Sequence, residues 1–177
     1  MKIKVKPMEE LEVFEAASKD LFDTMQGFKD NLSVQFPLLD SDNWQYDKGS
    51  IKVCKADESG FKKRCRVGIS YNLKVSLLNE DAEQIWLLFK DWFNTSRLGQ
   101  VERNPNNEDL GRYVFSASSP LGDQVDCSMY LANEWNIPQI SFSGYLTARY
   151  RACDLDKLRR FLELGQDKDS LRCLASH

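Results

Sequence analysis

The sequence predicts an α+β fold, a two-layer sandwich in which a five-stranded antiparallel sheet carries helices on one face, in the order α-β-β-α-β-β-β-α. Three observations carry this expectation. Residues 67–77 alternate, with Val67, Ile69, Tyr71, Leu73, Val75 and Leu77 apolar and Gly68, Ser70, Asn72, Lys74 and Ser76 between them. That is the pattern of a strand with one face on a core and the other in solvent. Residues 8–32 and 79–98 instead repeat apolar residues every three or four positions, as amphipathic helices do. Three further strand-like runs, 111–118, 124–132 and 139–152, are mutually consistent in register.

The first helix gathers Leu11, Phe14, Ser18, Leu21, Met25, Phe28 and Leu32 on one face, and Gly27 weakens its last turns. Pro37 and the polar DSDNW stretch then make a connection. Ile51–Cys54 reads as a short strand, returned by the charged loop KADESGFKKR into the alternating strand. Two alignments suit this hairpin. Cys54 opposite Cys65 puts Lys52 beside Val67, whereas a one-residue shift aligns Ile51 with Val67 and Val53 with Cys65. The second keeps apolar partners together and disfavours a 54–65 disulfide.

Asn79 is the expected N-cap of the second helix, with Glu80, Asp81 and Glu83 at its positive end. Ala82, Ile85, Trp86, Phe89 and Phe93 share one face, Gly99 ends the helix, and ERNPNNEDLG reads as a loop. Gly122-Asp123 turns the next pair of strands and Asn133–Pro138 the pair after it. A tight first turn places Phe115 opposite Cys127 and Tyr113 opposite Met129. The second places Leu131 near Ile140, Met129 near Phe142 and Cys127 opposite Gly144. Tyr113, Phe115, Val125, Cys127, Met129, Leu131, Ile140, Phe142, Leu146 and Ala148 then share the core face. A last helix starts at Asp154 with Leu155, Leu158, Phe161 and Leu162 apolar, so residues 1–164 form one domain and 165–177 a loosely held tail.

A chain of 177 residues is long enough to bury a core without metal or disulfides. Its net charge of −3 argues against a nucleic-acid partner, whose phosphates require a basic surface. No apolar run reaches the length of a membrane span. The basic N-terminus is followed by no apolar stretch, so the expected location is the cytoplasm where Met1 is native, and the cell envelope or exterior where the sequence has been trimmed. Cys54, Cys65, Cys127, Cys153 and Cys173 give no CxxC and no zinc spacing, which favours free thiols, with Cys127 a small core residue. Cys153 and Cys173 flank the last helix and could bridge in an oxidising compartment.

The only histidine is His177, which removes the usual histidine-based triads and multi-histidine metal sites. Cys65, between Arg64 and Arg66, is the nearest approach to a nucleophile. DSD (40–42) and NNED (106–109) do not match the EF-hand pattern. The expectation is a protein that is not an enzyme and takes no cofactor or metal.

The face opposite the core carries little charge in its middle and is marked by tyrosine and arginine, the residue types enriched at protein interfaces. The candidate binding residues are Arg112, Tyr130, Tyr145, Arg149 and Arg151, together with Trp135 in the NEWNIP turn. The element order resembles the small acidic chaperones of bacterial type III secretion, and it is similar to many immunity proteins. The segment ISFSGYLTARYRACDL is similar to small actinobacterial envelope lipoproteins. These resemblances and the uncovered face imply a non-enzymatic protein-binding module whose partner is another protein. An envelope domain and a small-molecule carrier are the alternatives, and the oligomeric state is left open.

Overall fold

The three- and four-residue apolar spacing becomes helix α1, Phe14–Gln35, in a computed structural model that describes residues 12–164. Residues 8–11 of the expected helix lie outside the described residues. The helix starts where the Phe14 amide donates to the Tyr150 carbonyl. Helix α2 spans Asn79–Asn94. Its N-cap is Leu78 rather than Asn79, because the Asp81 carboxylate accepts the Leu78 amide and the Asn79 side chain instead accepts the Tyr113 hydroxyl.

Among the described residues the sheet is antiparallel and has seven strands: β1 Gln45–Asp47, β2 Ser50–Val53, β3 Arg64–Leu73, β4 Gln100–Asn104, β5 Arg112–Ser118, β6 Gln124–Tyr130 and β7 Gln139–Arg149. Their order is β1-β3-β7-β6-β5-β4, and β2 also pairs with β3. The two strands beyond the expected five are β1 and β4. Both are short edge strands without a clear apolar alternation, so they resemble loop in the sequence. Arg103 in β4 pairs with Glu83 of α2 and with Glu108, and lies over Trp86, Tyr113 and Phe115. It thereby ties α2 to that edge.

The β5–β6 register matches expectation, with Phe115 opposite Cys127 and Tyr113 opposite Met129. The β6–β7 register is two residues away from the expected one: Met129 faces Ile140, Cys127 faces Phe142 and Val125 faces Gly144. The connecting turn is longer than expected and carries its own bridge between Asn133 and Asn136. An even shift keeps every side chain on its face.

α1 and α2 cover this one face of the sheet. Phe28 sits among Phe89, Phe93 and Phe142 at centroid distances of 5.5, 5.4 and 5.4 Å. Gly144 lets α1 approach, since a Cβ there would stand 2.5 Å from the Met25 sulfur. Each such buried large side chain contributes roughly 1.5–3 kcal/mol. Helix α3, Ala152–Leu164, begins before the expected Asp154 and leaves the main core. Leu155 and Leu158 pack instead with Phe61 and Tyr150 in a second cluster. The expected tail, 165–177, lies outside the described residues.

The alternation expected through 67–77 is interrupted. β3 pairs with β7 as Arg66–Leu146 and Val67–Tyr145, then resumes as Ile69–Gly144, leaving Gly68 as an extra residue at φ +76°. An isolated glycine inside a strand pattern marks such a bulge. Val67 therefore turns to the uncovered face with Tyr145, and Arg66 turns to the helix side with Leu146. The strand ends at Leu73, although Leu77 is still buried beyond it. The β2–β3 hairpin takes neither expected register. Ile51 lies opposite Arg66, Lys52 opposite Cys65 and Val53 opposite Arg64.

Candidate functional site

The residues of the β6–β7 turn are held by their own asparagines. Asn133 and Asn136 both donate to the Leu110 carbonyl at 2.9 Å, and Asn133 accepts the Trp135 amide at 2.8 Å. Arg112 donates to the Asn136 side-chain oxygen at 3.1 Å, and its guanidinium stands 5.8 Å from the Tyr130 ring. Gly111, at φ +72°, presents its carbonyl to the Leu131 amide. Its missing side chain leaves room for the asparagines, as a Cβ would stand 3.1 Å from the Asn133 amide nitrogen. Two large apolar side chains project from this fixed turn: Trp135 is 70% exposed and Ile137 73%. Beside the turn lies a hollow of about 470 Å³ whose lining includes Glu108, Asp109 and Tyr113.

The structure puts Arg112 against the Tyr130 ring and against Asn136, the chain neighbour of Trp135, and separates the other three candidates. Tyr145 is exposed on the uncovered face, but it is six positions along β7 from Gln139, the partner of Tyr130. At strand rise this is roughly 20 Å. Arg149 is only 5% exposed. Its guanidinium pairs with Asp123 at 2.6 Å and also bonds to Thr147, so it braces the β5–β6 turn against β7 and offers no free surface. Burial of Asp123 opposes its ionisation, but the hydrogen bonds from Arg149 and Thr147 outweigh that effect and hold its carboxyl below the usual carboxylate range. Arg151 lies past the end of β7. It pairs with Asp154 and lines a groove beside α1, on the helix side of the sheet.

Ile137, Asn133 and Asn136 belong to the surface although sequence reasoning did not single them out. The turn signal in NEWNIP was visible in its asparagines and proline; that Ile137 points outward depends on the length of the turn.

Cys54, Cys65 and Cys127 are free thiols. Burial, followed by the neighbouring Cys54, pushes the Cys65 thiol up. This is the opposite of the shift an activated nucleophile requires. Cys153, at the start of α3, is disulfide-bonded, which departs from the expectation of free thiols at that position; Cys173 and His177 lie outside the described residues. Among the described residues no group of three or more His, Cys, Asp or Glu side chains is placed to hold a metal ion, and no helix is long and apolar enough to cross a membrane.

No family model, no curated protein and no solved structure matches the chain.

Proposed function

We propose that the protein is a non-enzymatic protein-binding module, of the kind an immunity protein or a secretion chaperone supplies, and that it acts through the β6–β7 turn. The observation that carries this reading is the exposure of Trp135 and Ile137 on a hydrogen-bonded turn next to Arg112 and Tyr130. Tryptophan, tyrosine and arginine are the residues that most often dominate binding energy. A turn fixed by hydrogen bonds before binding loses little conformational entropy when it docks, so more of the contact energy appears as affinity. The matching partner surface is an apolar cleft that takes the indole and the isoleucine, with acceptors at its rim for the arginine.

Affinity capture from a lysate of the native host, run side by side with the wild-type chain and Trp135→Ala, tests this. A partner retained in near-stoichiometric amount by the wild type and lost with the variant supports the reading. Equal retention by both removes the turn from it. A second reading, a small-molecule carrier, is favoured by a separate feature, the groove beside α1.

A further inference from the structure

The groove beside α1 holds about 610 Å³, within the size range of small-molecule sites. It lies toward the end of β7 away from the Trp135 turn, walled by the first half of α1, the edge formed by β1, β2 and β3, and Arg151 just before α3. Its charge is one-sided. Among the described residues Lys19, Arg64, Arg66 and Arg151 line it, against one carboxylate, Glu15. That carboxylate already accepts the Ala152 amide at 3.0 Å. This basic concentration stands in a chain whose net charge is −3.

The four cations are not equally engaged. Lys19 is paired with Asp23 and Arg151 with Asp154. Arg64 and Arg66 meet no carboxylate among the described residues. Arg66 donates to the Lys48 carbonyl at 3.0 Å, and Arg64 to the Lys63 carbonyl at 3.3 Å. The Arg66 Nε is buried and has no hydrogen-bond partner among the described residues, so this guanidinium is not fully satisfied by the protein itself. Two guanidinium groups that line one groove from alternate positions of β3, with donors left over, match the several oxygens of a phosphate better than the two of a carboxylate.

The remaining wall is aromatic and aliphatic. Phe14 lies under the Arg66 guanidinium at 5.9 Å, and Phe22 meets the half-exposed Tyr46 ring edge-on at 5.5 Å. Ile51 and Ile69 complete the apolar side. An anion without a body leaves that side unused.

We propose that this groove binds a small organic phosphate with a planar or apolar body, its phosphate on Arg64 and Arg66 and its body against Phe22 and Tyr46. The binding is separate from the protein-docking turn and does not depend on it. Phenyl phosphate is the probe, titrated into the full chain by calorimetry and two-dimensional NMR, with inorganic phosphate as the comparison. The proposal expects saturable binding that weakens with salt, and inorganic phosphate binding less tightly. Arg64→Gln and Arg66→Gln should each weaken phenyl phosphate by roughly tenfold or more, the scale of one charged hydrogen bond. Trp135→Ala should leave it unchanged. Because Arg66 adjoins the bulge, Arg64→Gln decides the matter alone if Arg66→Gln fails to fold. No saturable binding at concentrations on the order of 10 mM, or unchanged affinity in Arg64→Gln, overturns the site. Inorganic phosphate binding as tightly as phenyl phosphate overturns the assignment of an apolar-bodied ligand.

Discussion

Gly49 stands opposite Gly68 across the edge of the sheet, both with positive φ, 68° and 76°. β1 and β2 pair with β3 in one continuous register, Tyr46 with Tyr71 and Ile51 with Arg66, and the two glycines fall in the gap between them. Tyr46 and Ile51 are an odd number of residues apart, yet both line the groove on the helix side. The paired kink turns both strands over together, which is how Arg64 and Arg66 come to face α1.

This predicts an ordering of two substitutions. A Cβ on Gly49 would stand 2.2 Å from the Val67 carbonyl oxygen, whereas one on Gly68 meets nothing nearer than the Gly49 Cα at 3.8 Å. Gly68→Ala carries only the left-handed backbone penalty, about 1–2 kcal/mol. Gly49→Ala adds a backbone clash and should lose more, roughly 2–4 kcal/mol in all. Urea unfolding of both variants checks this, and an equal or reversed order would show that the kink is not the constraint described.

Acidification should weaken the fold through Asp123 and Asp57. Asp57 feels an opposing desolvation, but hydrogen bonds from Ser59, Tyr150 and Lys63 lower its pKa to about 2. Asp123 is likewise held below its ordinary value of 3.8. A folded pKa below the unfolded one gives stability that is present above the unfolded value and is lost as pH falls through the folded one. The loss should therefore run from about pH 4 toward pH 2, with the partly exposed Asp57 contributing less because water screens it. Asp123→Asn should be less stable than wild type at neutral pH and show a shallower decline across that window. Parallel declines would remove Asp123 from the account.

The three described thiols should react in a fixed order. Cys127 is fully enclosed, and burial pushes its thiol pKa up. Cys65 is buried and raised in the same direction by burial and then by Cys54, whereas Cys54 is only half-buried. Alkylation of the native chain, mapped by peptide mass spectrometry, should label Cys54 first, Cys65 slowly, and Cys127 only on unfolding. Early labelling of Cys127 would contradict the packing of β6 against α1 and α2.

The sequence was most legible where alternation alone sets the face. Phe115 and Cys127 are correctly opposed because both strands alternate cleanly around a tight turn, and the β6–β7 pairing kept its face despite a two-residue error because that error was even. Legibility failed where a single residue changes parity. Gly68 has no side chain to reveal its direction, so Val67 read as core and Arg66 as surface, the reverse of their places. Arg149 read as outward by the same parity, but its burial depends on Asp123, a partner supplied by the β5–β6 turn 26 residues earlier. The groove was invisible for the same reason. Its cations come from α1, β3 and the link between β7 and α3, and only the paired kink brings the β3 arginines to that side.

The most direct test of the central claim is the dissociation constant of the captured partner protein, measured by calorimetry for wild type, Trp135→Ala and Tyr145→Ala. Trp135 and Tyr145 are both exposed, so neither change should alter the fold. Trp135→Ala should lose about 2 kcal/mol or more, some thirtyfold in affinity, whereas Tyr145→Ala should change it within about threefold. An unchanged affinity in Trp135→Ala, or a wild-type chain that retains no partner beyond what that variant retains, would contradict it.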